Sequence, residues 1–163
     1  MRNNIRVMLV EDHPEYRETL ELALGKEAAL ELTGQFGTAE RALRSLENMD
    51  TSQIPDVILL DLNLPGLDGL DALPLFSSSL PSAKVIVLTQ ADREADVLKA
   101  ITRGAAGYLL KSATLKQIIT GIQSVHSGGA SLDAKVAQFI LKTLKTKLPR
   151  RQMGQVLTER EMD

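Results

Sequence analysis

The chain contains no cysteine, so disulfides and thiolate metal sites are excluded. It has no tryptophan, and aromatics make up only 3% of it, which argues against stacked platforms for single-stranded nucleic acid. A dominant sign of charge is also missing. The formal net charge is −2, so nothing global points to nucleic acid or to an anionic membrane. Long apolar runs are absent: none approaches the ~18 residues of a membrane span. The five-residue apolar stretch within MRNNIRVMLVEDH is too short for the core of a secretory signal. The expectation is a cytoplasmic chain with no membrane partner. What is present suits a globule. There are 163 residues, 44% apolar and 25% charged, enough for one domain and an appendage.

Short apolar runs alternate with helical patterns along the chain. Ile5 to Val10 reads as a buried strand. PEYRETLELALGKE follows as a helix, with Tyr16, Leu20 and Leu24 at helical spacing and Pro14 in the first turn. LELTGQF reads as a weaker strand because Gly34 sits inside it. TAERALRSLEN is a helix capped by Thr38. Asp56 to Leu60 is a strand, and LDGLDALPLFSSS a helix broken or strained at Pro74. AKVIVLT is a strand, DREADVLKAITRG a helix ending at Gly104, and AGYLLK a strand. TLKQIITGIQSVHSGG is a helix closed by Gly128 and Gly129. Five strands and five helices thus alternate over residues 5–127. The strands are continuously apolar, which predicts a parallel sheet covered on both faces. Right-handed crossovers make it a doubly wound α/β sheet. Such sheets collect binding groups at the carboxyl ends of their strands, near the switch in strand order.

Those ends carry chemistry. Glu11 and Asp12 follow strand one, Asp61 follows strand three, Thr89 ends strand four, and Lys111 follows strand five. Strand order 2-1-3-4-5 makes these tips neighbours. Three carboxylates crowded together repel one another. A hard divalent cation such as Mg²⁺ relieves the repulsion and leaves positions for phosphate. A lysine supplies a point charge to a phosphoryl oxygen, and a threonine supplies a hydrogen bond. An aspartate can itself be the nucleophile.

Four segments, each at a strand end and in order, resemble the receiver domain of two-component response regulators. LVEDHPEYR resembles the acidic-pair loop, VILLDLNLPGLDGL the phosphoacceptor loop, VIVLTQ the switch-threonine strand and GAAGYLLKSA the lysine loop. The resemblance covers residue 5 to about 127 and implies a five-stranded, flavodoxin-like (βα)5 fold with an added C-terminal helix. It implies that Asp61 accepts a phosphoryl group from a sensor histidine kinase. Asp12 would bind Mg²⁺ directly and Glu11 through water, with the Asn63 carbonyl completing the site around Asp61. Lys111 would pair with Asp61 and then with the phosphoryl group. Thr89 would move toward the new oxygens, and Tyr108 would change its exposure in step. Pro65 and Gly66 would shape the loop, Gly66 taking a positive φ. Such a chain is a phosphoacceptor rather than a turnover enzyme. Homodimerisation on phosphorylation is expected, through the last two helices with strand five or through helices one and five.

Three positions depart from the family pattern. Glu11 replaces a frequent aspartate, Gln90 stands after Thr89 where a small residue is common, and Ser112 follows Lys111 where many receivers carry proline. Plainer roles exist for several residues. Glu11 and Asp12 could favour a helix dipole. His13 reads as a turn residue rather than a ligand or a phosphohistidine, and Glu15, Glu18 and Glu21 as a solvated face. An aspartyl phosphatase would need an acid two residues after Asp61, where Asn63 stands. A constitutive interaction module with an unused acidic pocket is a further alternative. A dinucleotide site lacks its glycine fingerprint.

After Gly129 the alternation stops. SLDAKVAQFILKTLKTKL places Leu132, Val136, Ile140, Leu144 and Leu148 four apart, an amphipathic helix for which Ser131 can be the cap. Its stripe could pack on the receiver or on another copy. Lys142, Lys145, Lys147, Arg150 and Arg151 read as a solvated basic stretch, and PRRQMGQ as a linker. LTEREMD resembles the opening of a LuxR-type helix-turn-helix, with Thr158 and Glu161 as a capping box. The expected organisation is a receiver domain (1–129), a helix and linker (130–157), and the start of a truncated helix-turn-helix (158–163). DNA would be a partner only through the missing output domain.

Overall fold

The computed structural model describes residues 4–90 and 93–147. The elements are β1 (Ile5–Val10), α1 (Pro14–Gly25), β2 (Leu30–Phe36), α2 (Ala39–Ser45), β3 (Val57–Leu60), α3 (Gly69–Ser79), β4 (Lys84–Thr89), α4 (Glu94–Thr102), β5 (Gly107–Leu110), α5 (Leu115–His126), β6 (Ser131–Leu132) and α6 (Ala134–Lys147). Two short 3₁₀ turns, Leu46–Asn48 and Thr51–Gln53, follow α2. The strands form one sheet in the order β2-β1-β3-β4-β5-β6, and every pairing is parallel.

Side-chain alternation along each strand divides the core into two layers. Met8, Val10, Ile58, Leu60, Val85, Val87 and Tyr108 face α2, α3, α4 and α6. Val7, Leu9, Val57, Leu59, Ile86, Leu88 and Leu109 face α1 and α5. Both faces of the central strands are therefore dry, which is why they read as unbroken apolar runs.

LELTGQF, read as a weaker strand, is β2 over its whole length, and Gly34 falls where the β1–β2 register shifts between Val7 and Met8 and a bulge on β2 absorbs the irregularity. Two local expectations need revision. Pro74 does not break α3, which runs through it. Proline has no N–H for the Leu70 carbonyl one turn back; the Arg103 guanidinium donates to that carbonyl instead, at 2.8 Å, while pairing with Asp71 at 3.2 Å. The gap in the helix ladder is thus closed from a neighbouring element.

The second revision concerns the C-terminal segment. Ser131 is not a helix cap, since Ser131 and Leu132 add a sixth short strand beside Gly107 and Tyr108. The helix begins at Ala134, and Asp133 serves its start: its Oδ1 accepts from the Lys135 amide at 2.9 Å and its carbonyl from the Ala137 amide at 2.8 Å. Of the described members of the stripe spaced by four, only Val136 and Ile140 lie on the packed face. A step of four residues turns about 400°, so each repeat drifts by about 40° from the last. Contact is made at the 3–4 spacing instead. Val136 is fully buried, Phe139 and Ile140 pack on the core layer, and Thr143 Oγ1 donates to Glu94 Oε1 on α4 at 2.9 Å. Leu144 is 53% exposed, and Leu132 lies outside the helix. α6 therefore packs on its own receiver, against α4. Leu148, Arg150, Arg151, Thr158 and Glu161 lie outside the described residues.

Candidate functional site

The sheet register builds the site. Backbone pairing runs one residue beyond three strands. The Glu11 amide donates to the Phe36 carbonyl at 2.9 Å, the Asp61 amide to Val10 at 3.1 Å, and the Lys111 amide to Thr89 at 2.9 Å. The tips of β1, β3, β4 and β5 are thereby held side by side, and Glu11, Asp61 and Thr89 are buried there. The loop after Asp61 returns tightly. Gly66 has φ 73°, a region disfavoured for residues with a Cβ. The Leu67 amide at the same turn donates to Glu40 Oε2 at 3.2 Å. At Gly69 a Cβ would collide with the Asp61 carbonyl and Leu62 Cα, so the first residue of α3 must be small for the acceptor loop to lie where it does.

Lys111 bridges two of the carboxylates. Its Nζ donates to Glu11 Oε1 at 2.5 Å and to Asp61 Oδ2 at 3.0 Å. All three side chains are nearly water-free, with 8% of Lys111 and 2% of each acid exposed. The Asn63 amide donates to Asp61 Oδ1 at 3.1 Å, and Asn63 Nδ2 to Thr89 Oγ1 at 3.4 Å. Burial, and then the hydrogen bond with Asp61, pushes the Glu11 carboxyl up to about 7 against the pull of Lys111. Burial would raise Asp61 as well. The hydrogen bonds from Glu11, Lys111 and the Asn63 amide outweigh it and hold Asp61 below the usual carboxylate range. Lys111 is lowered by burial, but its two acidic partners outweigh that and raise it. The pair thus favours an ionised Asp61 beside a charged lysine, and of the two acids Glu11 is the one that takes up a proton more readily.

Glu11, Asp12, His13 and Asp61 each bring a ligand atom within 4.8 Å of the others. One lysine does not neutralise three acids. Among the described residues Asp12 Oδ1 is buried and accepts no hydrogen bond, its one charged neighbour being the His13 ring 3.3 Å away. Glu11, Asp12 and Asp61 offer carboxylate oxygens, the ligands that a hard cation such as Mg²⁺ prefers. The residues present fit such an ion.

All the expected strand-tip residues, Glu11, Asp12, Asp61, Asn63, Thr89 and Lys111, come together. Tyr108 lies apart, fully buried in the middle of β5 in the layer that holds Val97, Ala100 and Val136. Gln90 is exposed. It borders a cavity of about 650 Å³ with Lys111, Ser112, Asp133 and Lys135, and no cis peptide occurs among the described residues. Three neighbours were given no role at the site from the sequence. His13, expected only to make a turn, places Nδ1 3.1 Å from Glu11 Oε1 and 3.3 Å from Asp12 Oδ1. Arg17 Nη1 donates to the Glu11 carbonyl at 2.9 Å, steadying the acidic loop. The Tyr16 ring lies under Lys111, its centroid 4.9 Å from Nζ. Burial, with the nearby Glu11 and Asp61 charges, pushes its hydroxyl up to about 12. The signal for all three was proximity in sequence, since they follow the acidic pair by no more than six residues.

Known proteins carry the same pattern. Residues 7–123 match the family model described as response regulator receiver domain. The transcriptional regulatory protein MctR of Rhizobium johnstonii is 33% identical over 86% of this chain, which spans 64% of MctR's length. The nitrate/nitrite response regulator protein NarP of Escherichia coli (strain K12) is 33% identical over 97% of this chain and 71% of its own. Among solved structures, a two-component response regulator of the LuxR family from Aurantimonas sp. SI85-9A1 superposes with a TM-score of 0.77 and 28% identity, over 85% of this chain and 96% of that one.

Proposed function

The chain belongs to the response regulator receiver family, and from that premise we propose that it is a phosphorylation-switched signalling domain whose acceptor is Asp61. The observation that carries this reading is the buried Lys111 bridge between Asp61 and Glu11, in a cluster where Glu11, Asp12 and Asp61 bring carboxylate oxygens within 4.8 Å of one another.

An ionised Asp61 Oδ attacks the phosphorus of a phosphohistidine on a partner kinase. An O–P bond forms, the P–N bond breaks, and the imidazole leaves with the bonding pair. Glu11, Asp12, Asp61 and the Asn63 carbonyl are the residues that would hold Mg²⁺, which supplies charge neutralisation for the phosphoryl oxygens when bound. Lys111 loses its role as carboxylate partner and turns to a phosphoryl oxygen. Thr89, at the end of the adjacent strand, donates its hydroxyl to another. Asn63 holds Asp61 Oδ1 through its amide, leaving Oδ2 on the lysine side.

The switch then runs outward from Thr89. Tyr108 is buried beneath α4 and α6, so a change in its packing alters the face those helices present. We assign residues 1–129 to the receiver, 130–157 to the helix and linker, and 158–163 to the opening of a helix-turn-helix. Transcriptional output is a proposal by analogy with longer relatives such as the transcriptional regulatory protein MctR, and dimerisation on phosphorylation, with DNA reached through a further domain, is what the family resemblance implies. Incubation with acetyl phosphate and Mg²⁺ tests the central assignment. Acid-labile incorporation should occur in the wild type and vanish in Asp61→Asn; equal incorporation in both would refute it.

A further inference from the structure

Among the described residues the Lys111 ammonium has three side-chain contacts, and they differ in kind. Two are to carboxylates, Glu11 and Asp61. The third is to the face of a neutral ring, Tyr16, at 4.9 Å, within the range where an aromatic quadrupole attracts an ammonium. A cation that binds the acidic cluster competes for the two carboxylates, because it neutralises the charge that holds the lysine. It does not compete for the ring. When the cluster is filled, the ring is therefore the contact that still holds the ammonium in the pocket.

Tyr16 is placed for this by the first turn of α1. Pro14 opens the helix directly after the acidic loop, and the Arg17 bond to the Glu11 carbonyl fixes the junction. Among the described residues the buried Tyr16 hydroxyl has no hydrogen-bond partner. It anchors nothing, so what Tyr16 contributes here is the ring.

We propose that Tyr16 is a positioning residue for phosphoryl transfer. Its ring retains Lys111 in the pocket once the carboxylates are engaged by a divalent cation, so that the ammonium meets the incoming phosphoryl oxygen. The inference rests on the phosphoacceptor reading of Asp61. It concerns a neutral aromatic contact to the lysine, separate from the cation ligands themselves.

Two readouts test it. The first needs no phosphorylation. Protons on the Lys111 ε-carbon above a ring resonate upfield, and Lys111→Arg identifies the signal. The upfield position should persist when Mg²⁺ is added, survive in Tyr16→Phe and disappear in Tyr16→Leu. A return to the ordinary lysine position on adding Mg²⁺ to the wild type would overturn the proposal, even if Tyr16→Leu folds poorly. The second readout is the rate of labelling by acetyl phosphate at saturating Mg²⁺. Loss of a partly buried cation–ring contact should slow Tyr16→Leu by about three- to tenfold and leave Tyr16→Phe within about twofold of wild type. Phenylalanine as slow as leucine would place the effect in the hydroxyl and overturn the ring account. The two readings fail separately. A wild type that takes no label overturns the phosphoacceptor assignment. Equal labelling of wild type and Tyr16→Leu, with Asp61→Asn inert, overturns only the role of Tyr16.

Discussion

Replacing Lys111 by methionine keeps most of the stem's volume and deletes the charge. The ammonium lies 2.5 Å from Glu11 and 3.0 Å from Asp61, and the three side chains are at most 8% exposed. Solvent screening of the pair is therefore slight. Removing one partner of a buried ion pair typically costs about 3–5 kcal/mol. Glu11 and Asp61 can offset part of that by sharing a proton, so the expected loss is about 3 kcal/mol near pH 8 in the absence of divalent cations. For a chain of this size that corresponds to a fall in Tm of about 6–12 °C. The sign of the pH dependence follows from the two acids left behind. Without the lysine their mutual repulsion raises the folded-state pKa of one carboxyl above its unfolded value. Such a group stabilises the fold while protonated, and the stabilisation is lost as pH rises through the folded pKa. The deficit of Lys111→Met relative to wild type should thus shrink near pH 5.5 and grow toward pH 8. Added Mg²⁺ should restore most of it by supplying the missing positive charge. Thermal melts at the two pH values, with and without Mg²⁺, are the assay. A Tm loss of equal size at both pH values, or one unmoved by Mg²⁺, would refute the reasoning.

Arg103→Ala should cost about 1–2 kcal/mol, because it strands the Leu70 carbonyl that Pro74 cannot serve. Adding Pro74→Ala should recover most of the loss by restoring an N–H one turn on, and a double variant no more stable than Arg103→Ala would contradict this. In the metal-free wild type Glu11 is raised from 4.5 to about 7 and is almost fully buried. Its stabilising contribution is complete below about pH 4.5 and should fall by about 2–3 kcal/mol as pH rises past 7, while Glu11→Gln should flatten the profile measured by urea unfolding. Val136→Asp should detach α6 from α4, seen as faster amide exchange across Ala134–Lys147 with β1 to β5 still protected.

The arrangement of the sheet was legible because its evidence is repeated. Each central strand is buried on both faces and leaves an unbroken apolar run, and each interesting tip carries a polar residue directly after that run. Gly66 was equally plain, since its loop needs a positive φ. What could not be read depends on contacts made across space. Pro74 looked like a break because the guanidinium that rescues it comes from Arg103, far along the chain. Ser131 looked like a cap, and only the open edge of β5 explains why Ser131 and Leu132 pair as a strand. The leucine stripe of α6 misled for a geometric reason, since a spacing of four slowly winds off the packed face. At the site, Asp12, Asp61 and Lys111 announced themselves by type and place. Tyr16 did not, because a tyrosine at helical spacing looks like ordinary packing until the lysine from β5 is laid over its ring.

The most direct measurement is the chemical identity of the labelled residue. After treatment with acetyl phosphate and Mg²⁺, borohydride reduction converts an aspartyl phosphate to homoserine, and peptide mass spectrometry locates it. Homoserine at position 61 and nowhere else is the expected result. A phosphoryl group on His13, or an Asp61 left unreduced in a chain that carries label, would contradict the account.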